Sequence, residues 1–247
     1  MRLKIITLFV VLFSFLFSYN SLKAQVFQFS LNASNNLLSG DFTDTDLSSE
    51  TSGFALYGYG GNLDFKFYAQ RFGFGARVNY NIYERDRDAY EVALRNHLGI
   101  TDDKYFVRDI GMMMDYGFQV NFSYNIPVKG VFNIEPYIYL GFNVLATPPD
   151  QVIYNKSMRT YTYQSQLMGY IGYSFAPGVN FQWNLGEHIG LKLYFEYSGI
   201  AYESDATRII NYSSTKFESE YRKKKYTINS VNFGMGINFY FGKGLEK

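Results

Sequence analysis

The sequence contains no cysteine, only two histidines and, after residue 25, no apolar run long enough for a transmembrane helix. The absence of cysteine excludes a disulfide scaffold, a thiolate zinc site and a lipoprotein anchor. Two histidines argue against a metal site built from several imidazoles, and the composition indicates neither a metal nor a cofactor. A net charge of +1 gives no electrostatic reason to expect nucleic acid as a partner. The hydrophobic content of 47% is too high for a disordered chain.

The beginning of the chain has the pattern of a secretory signal peptide. A short basic start precedes the apolar stretch from Ile5 to Phe17, and a more polar segment follows up to Ala24. An uncleaved membrane anchor is the alternative, but spanning a bilayer takes about 20 apolar residues and this stretch is shorter. We therefore predict a signal peptide at 1–24, cleaved after Ala24, and a single domain at 25–247.

The abundant residues are aromatic, since the chain has 24 phenylalanines and 24 tyrosines. After Gln25, apolar and polar residues alternate with a period of two in eight segments, which is the pattern of β-strands. One face of each segment is apolar and aromatic, and the other carries glycine, amide and charged residues. The interior of an eight-stranded barrel is only wide enough for its own side chains, so the large apolar set must face outward into lipid. We therefore predict an all-β fold, a transmembrane antiparallel up-and-down barrel of eight strands.

Two other all-β architectures fit this pattern less well. A soluble lipocalin-like barrel would carry its apolar residues inside and its charges outside. A two-sheet sandwich would leave Asp64, Lys66 and Arg77 on a solvent-exposed face and would give no reason for the glycines there. A narrow lumen explains the glycines, because large side chains cannot all fit where backbones crowd together.

Long and short connections alternate strictly between the predicted strands. Outer-membrane barrels have short periplasmic turns and longer external loops. We therefore predict a bacterial outer-membrane location, with the loops outside and both termini in the periplasm. Within the second long loop, acidic residues followed by spaced apolar ones predict a short helix over Asp86 to Leu98. The tight turns are 68–71, 127–131 and 185–188, and the long loops are 34–52, 84–109, 146–163 and 202–226.

Aromatic residues cluster where the predicted strands would cross the two membrane surfaces. Tyr57 and Phe67 are ten residues apart on one strand. This separation is roughly 25 Å along the membrane normal at the usual rise and tilt. Aromatic girdles are one interpretation, and ordinary strand aromatics are the other. The predicted girdle residues are Tyr57, Phe67, Phe72, Tyr80, Tyr124, Trp183, Tyr197, Phe239 and Phe241.

The last predicted strand, Val231 to Phe241, alternates apolar residues with small or amide residues and reaches a final aromatic residue. With the signal peptide and the eight segments, it resembles small outer-membrane barrels of the OmpA membrane domain and OmpX type. The aromatic richness and the Ala24-Gln25 junction resemble the versions found in Bacteroidota. The resemblance covers the mature chain and implies an insertion machinery that reads the final aromatic residue. Six residues follow Phe241 here, which departs from that pattern.

Seven charged residues point into the bore in the predicted register. Charges in a low-dielectric interior must be paired. We predict that they form a network that plugs the bore, and a gated polar path is the alternative. A hairpin centred on 68–71 would place Asn62 opposite Arg77. The predicted network consists of Asp64, Lys66, Arg77, Asp115, Glu135, Lys192 and Glu196.

Catalysis has little support in the sequence, so we predict that the chain is not an enzyme. Some eight-stranded outer-membrane barrels modify lipid A acyl chains and use His and Ser near the membrane surface. A base must lie within hydrogen-bond reach of its nucleophile. His97 lies in a long loop and His188 in a tight turn, so neither lies on a strand at the outer interface.

The long loops are the remaining functional candidate. The densest basic run lies in the fourth loop, where clustered cations can bind lipopolysaccharide phosphates. A solvated hairpin end is the alternative. We predict a monomer with a structural or surface-interaction role. Passive transport of small or apolar solutes, lipid modification, and an assembly or secretion role are the alternatives. The basic run consists of Arg222, Lys223, Lys224 and Lys225.

Overall fold

The computed structural model describes residues 25–46, 53–100, 106–147, 149–156, 159–165, 168–213 and 217–242. The predicted signal peptide, 1–24, lies outside the described residues. The strands and the α-helix are, in chain order, β1 (Gln25–Ser39), β2 (Ala55–Ala69), β3 (Phe72–Arg85), α1 (Arg87–Leu98), β4 (Phe106–Asp109), β5 (Met113–Tyr124), β6 (Ile126–Lys129), β7 (Phe132–Thr147), β8 (Gln151–Lys156), β9 (Arg159–Ser165), β10 (Met168–Asn184), β11 (Ile189–Ser213) and β12 (Phe217–Gly242).

Eight of these strands form a closed antiparallel barrel: β1, β2, β3, β5, β7, β10, β11 and β12. Closure is made by β1 and β12, which pair from Val26 opposite Gly242 to Ser39 opposite Asn229. Because each wall strand pairs on both sides, its backbone polar groups are satisfied without water, as a membrane requires. The predicted eight-stranded antiparallel barrel is confirmed. Within the part of the chain that the structure describes, no helix is both long and apolar enough to cross a membrane.

The barrel wall is apolar outside and polar inside. Outward side chains such as Tyr173 and Ile171 are 85% and 71% exposed, whereas inward Asp64 and Glu135 are 0% exposed. Soluble monomers rarely expose large contiguous apolar patches. A wall of this polarity is that of a transmembrane barrel, with an apolar band facing lipid and a polar interior.

Two details of the predicted register are wrong. The hairpin between β2 and β3 turns at Gln70 and Arg71, so Arg77 lies opposite Asp64 and not opposite Asn62. Gln70 adopts a φ of 58°, which is part of this two-residue turn. A period of two also puts Ala55 on the lipid face with Tyr57, but Ala55 is buried. A register shift between Ala55 and Gly58 reverses the facing of the strand at that point.

The predicted long loops contain much regular structure. The wall strands extend into the segment 202–226, which was predicted as a loop. In it β11 runs to Ser213 and β12 begins at Phe217, and the two strands pair as a ribbon. The segment 34–52 begins with the end of β1 and a 3₁₀ turn at Asp41–Thr43. The segment 146–163 holds β8 and most of β9, and 84–109 holds β4 and the helix α1, whose prediction is confirmed. Beyond the lipid the outward face no longer needs to be apolar, so the period-two pattern fades while strand pairing continues.

Candidate functional site: the lumen and the outer cap

The seven predicted network residues all lie inside the barrel, and none is more than 7% exposed. They occur at three levels along the bore, which we name by their distance from the short turns. The lower layer is built around Lys66 and Glu135, the middle layer around Asp64, Arg77, Lys192 and Glu196, and the upper layer around Asp115.

The middle layer joins three strands through Arg77. Its Nε lies 2.8 Å from Oδ1 of Asp64, and its Nη1 lies 2.6 Å from Oε2 of Glu196. Nζ of Lys192 donates to the second carboxylate oxygen of Asp64 at 2.9 Å. The guanidinium also lies 3.6 Å from the centre of the Tyr139 ring, which is a cation–π distance. Two positive and two negative charges therefore balance in this layer.

The lower layer is a single ion pair with many neutral partners. Nζ of Lys66 lies 3.1 Å from Oε1 of Glu135. The Tyr68 hydroxyl donates to that oxygen at 2.7 Å, and the Asn180 amide donates to Oε2 at 2.7 Å. Gln182 donates to Oε2 as well. The carboxylate thus has several donors besides its cation, which buried ions need in order to offset desolvation.

The upper layer has a different composition. The Asp115 carboxylate accepts from the Asn143 amide at 2.9 and 2.8 Å, from Asn81 at 3.0 Å and from the Tyr202 hydroxyl at 2.5 Å. These groups come from β3, β5, β7 and β11. No Lys or Arg among the described residues forms an ion pair with Asp115. The neutral donors therefore link four wall strands around a carboxylate that has no cationic partner.

An aromatic cluster lies in the bore at the end opposite the short turns. Phe42, from the 3₁₀ turn, is fully buried and meets Tyr83 and Tyr226 edge-on at 5.6 and 5.8 Å between ring centres. Tyr170 meets Tyr226 edge-on at 5.3 Å. We call the whole buried group the mouth cluster: Phe42, Ala55, Tyr83, Met113, Leu145, Tyr170, Ile200, Tyr202, Tyr226 and Ile228.

The sequence pattern did not identify the mouth cluster. Phe42 and Tyr226 lie in segments that the sequence predicts as loops, and the alternation puts Ala55 on the lipid face. The only available signal was the presence of aromatic residues in segments that have no lipid to face. Together with the three charged layers, this cluster places buried side chains along the described length of the bore.

A second apolar core lies outside the barrel, beyond the mouth cluster. Helix α1 begins at its N-cap Asp86, whose carboxylate accepts from the Ala89 amide at 2.9 Å, and it ends at Gly99 in the left-handed conformation with a φ of 65°. Its Tyr90 and Leu94 are buried among residues of β8, β9 and the loops. We call this unit the outer cap; its buried residues are Phe54, Tyr90, Leu94, Ile110, Val152, Tyr154 and Tyr163.

Arg85 connects the end of a barrel strand to the outer cap. Its Nη1 donates to both carboxylate oxygens of Asp150, at 2.7 and 2.9 Å, and its guanidinium lies 4.5 Å from the centre of the Tyr90 ring. Within the cap, an ion pair joins β4 to α1: Nη1 of Arg108 lies 2.5 Å from Oε2 of Glu91.

The nine predicted girdle residues lie on the outward face at the two ends of the wall. At the loop end, the Tyr57 hydroxyl donates to Glu84 at 2.7 Å and the Tyr197 hydroxyl donates to Asn229 at 3.0 Å. Amphipathic rings with a polar partner are typical of a membrane–water boundary. The members are Tyr57, Phe67, Phe72, Tyr80, Tyr197 and Phe241, which are exposed, and Tyr124, Trp183 and Phe239, which are half-buried.

The basic run lies on β12 and not in a loop. The side chains of Arg222, Lys223 and Lys224 lie outside the described residues. Lys225 is described, and its Nζ lies 3.4 Å from Oε1 of Glu203 with both side chains about half exposed. An exposed pair of this kind contributes little to stability.

The two histidines do not share a site. His97 lies in the last turn of α1, whereas His188 lies in the short turn before β11, with its Nδ1 3.3 Å from the carbonyl oxygen of Tyr240. Over the described ranges, no three or more His, Cys, Asp and Glu side chains converge as metal ligands.

Comparison with known proteins gives outer-membrane barrels and no sequence match. No protein-family model and no curated protein matches the chain. A major outer membrane protein of Thermus thermophilus is 12% identical with a TM-score of 0.47, over 89% of this chain and 100% of that one. The attachment invasion locus protein Ail of Yersinia pestis is 9% identical with a TM-score of 0.42, over 89% and 100%. The outer membrane protease OmpT of Escherichia coli is 9% identical with a TM-score of 0.29, over 90% and 98%.

Proposed function

We propose that this protein is a plugged outer-membrane barrel that presents an interaction surface outside the cell. One observation carries the proposal. Buried ion pairs and the mouth cluster lie along the bore, while the outer cap forms a separate apolar core at one end of the barrel. A wall strand such as β5 has 12 residues, but β11 has 25. These lengths correspond to roughly 40 and 80 Å, so the ribbon extends far beyond the lipid.

The proposed orientation has the outer cap at the cell surface and both chain termini in the periplasm. It is supported by the ends of β1 and β12, which lie at the short-turn end of the wall. Because the chain has no native cysteine, single-cysteine variants give clean labelling. Val92 on α1 and Val128 beside a short turn are 58% and 54% exposed, which makes them a matched pair.

In intact cells, a membrane-impermeant maleimide should label Val92→Cys and not Val128→Cys. Permeabilising the outer membrane should expose both positions. Labelling of Val128→Cys in intact cells would reverse the proposed orientation. A photo-crosslinking residue at position 92 should then trap a surface partner, and the same residue at position 128 is the control. Identical crosslinked products at both positions would overturn the surface role.

The proposed barrel is not a passive pore. Proteoliposomes that contain it should not swell in glycerol or small sugars, and planar bilayers should show no stable conductance steps. The support is the burial of Asp64, Lys66 and Glu135, which fill the narrow interior expected for eight strands. Steady conductance of the wild-type chain would instead favour transport.

We do not propose catalysis. His97 and His188 lie at opposite ends of the molecule. The two histidines therefore cannot act together on one substrate. Release of acyl chains or peptides by the purified protein would contradict this part of the proposal.

The proposed partners are lipopolysaccharide at the outer surface and the insertion machinery during assembly. The basic run supports the first, since clustered cations bind phosphate. Replacing Arg222, Lys223 and Lys224 by glutamine should weaken co-purification of lipopolysaccharide, and Lys104→Gln is a single-charge control elsewhere in the chain.

Replacing Phe241 by alanine should slow insertion into the membrane. Unchanged values in both assays would remove these partners from the proposal.

A further inference from the structure

The upper lumen layer contains an unbalanced buried charge. In the middle layer Arg77 and Lys192 balance Asp64 and Glu196, and in the lower layer Lys66 balances Glu135. Asp115 is also fully buried, but the described lumen supplies it with neutral partners only. A buried carboxylate requires a compensating positive charge or the loss of its own charge.

Unpartnered oxygen atoms lie around the same carboxylate. The Oδ1 atoms of Asn79 and Asn143 are buried without a hydrogen-bond partner, although both side chains reach Asp115 through Nδ2. The Oδ1 atom of Asn36 is also buried and unpartnered, and Asn36 donates to Asn81, which donates in turn to Asp115. Each of the three side chains with an unpartnered oxygen is at least nine-tenths buried. The layer therefore contains one carboxylate with neutral donors only and three amide oxygens that have no donor at all.

Glycines provide the space for these amides. A Cβ at Gly117 would collide with the side chains of Asn79 and Asn143, and a Cβ at Gly60 would collide with the side chain of Asn81. The asparagines thus pack over bare backbone in the neighbouring strands. A half-turn of an asparagine amide exchanges its nitrogen and oxygen, so the same side chains can direct carbonyl oxygens at a cation.

We propose that the upper layer binds a dehydrated monovalent cation, sodium, through the Asp115 carboxylate and the amide oxygens of Asn79 and Asn143. Carboxylate and carbonyl oxygens suit hard cations, whereas the absence of sulfur and imidazole disfavours transition metals. A single carboxylate balances one positive charge and not two. A proton would neutralise Asp115, but its single O–H could donate to only one of the two amide oxygens. The site goes beyond the proposed surface role and does not depend on it.

The wild-type chain alone provides the first test. Urea unfolding of the barrel in detergent micelles is followed by the fluorescence of Trp183, the only tryptophan. Choline chloride replaces sodium chloride so that ionic strength stays constant. The urea midpoint should rise with the logarithm of sodium concentration, because only the folded state has the site. A urea midpoint that choline chloride raises as much as sodium chloride does would overturn the proposal. A midpoint that rises with calcium and not with sodium would also overturn it.

Two variants and one control locate the effect. Asp115→Asn should abolish the dependence of the urea midpoint on sodium. Asn143→Ala keeps the carboxylate, so the midpoint should still rise with sodium but should need a higher sodium concentration to do so. Glu196→Gln removes a carboxylate that has a cationic partner, so it should lower the midpoint and keep the sodium dependence. If Asp115→Asn does not fold, Asn143→Ala and the wild-type titration still decide. Sodium dependence that persists unchanged in either site variant, or a midpoint that responds to pH and never to sodium, would overturn the proposal.

Discussion

Arg77 and Asp64 lie directly opposite each other on adjacent strands, with 2.8 Å between Nε and Oδ1 and both side chains buried. The same guanidinium reaches Glu196 on β11, so one residue joins non-adjacent parts of the wall through the bore. Arg presents several donors in a fixed plane and keeps its charge at any physiological pH, which suits this position better than Lys. The pair is the centre of the buried ion-pair network in the middle layer.

Replacing Arg77 by methionine should destabilise the barrel by about 3–5 kcal/mol, since it leaves Glu196 buried without its cation. The measurement is the free energy of unfolding in urea, by Trp183 fluorescence in micelles. Arg71→Met is the control, because Arg71 lies exposed in the turn between β2 and β3. A similar decrease in the free energy of unfolding for both variants would show that the effect is not specific to the buried network.

The sequence predicts which wall side chains face lipid and which face the bore, because lipid imposes a strict period of two on each strand. Asp64, Lys66 and Arg77 were assigned to the interior from that pattern alone, and the structure places them there. The register of pairing between neighbouring strands was harder to predict. A two-residue error in the β2–β3 pairing changed the neighbour of Arg77, because turn position is not encoded in the alternation.

The outer cap could not be derived in the same way. Its core joins Phe54, Tyr90 and Val152, which come from three separate segments with no common period. Helix α1 was predictable because capping and spaced apolar residues are local signals. Its packing partners and the ion pair of Arg85 with Asp150 depend on tertiary contacts that one sequence does not display.

Adding one methyl group at Gly141 should destabilise the barrel by about 2 kcal/mol or more, as overpacking does. A Cβ there would collide with the backbone carbonyl of Phe118, which cannot move without breaking strand pairing. Gly186→Ala is the control, because its Cβ would meet no atom within 4 Å. Unfolding free energies of the two variants test this; equal stability would mean that the lumen can relax around the added group.

Replacing Asp86 by alanine should weaken helix α1 by about 1 kcal/mol, because the Ala89 amide loses its side-chain acceptor. Amide hydrogen exchange in the first turn of α1 should become faster, while exchange in the barrel wall stays the same. Asp86→Ser restores a capping oxygen and should return most of the protection. Protection that is lost equally in Asp86→Ser would indicate that the charge of Asp86, and not capping, supports the helix.

Tyr90 should make the outer cap sensitive to alkaline pH. Burial raises the pKa of its hydroxyl well above the ordinary value of 10.0. In the opened cap Tyr90 ionises near that ordinary value, whereas in the closed cap it stays neutral. Its contribution is therefore fully present below the ordinary pKa of 10.0 and is lost as the pH rises above it.

The rate at which subtilisin cleaves α1 should therefore increase more steeply above pH 10.0 in the wild type than in Tyr90→Phe, which has no hydroxyl to ionise. At neutral pH the variant should be cleaved somewhat faster, since it lacks the hydrogen bond of Tyr90 with Asp150. Tyr161→Phe, at a half-buried position on β9, should keep the wild-type pH dependence. If Tyr90→Phe and the wild type show the same slope, the alkaline opening of the cap arises from another group.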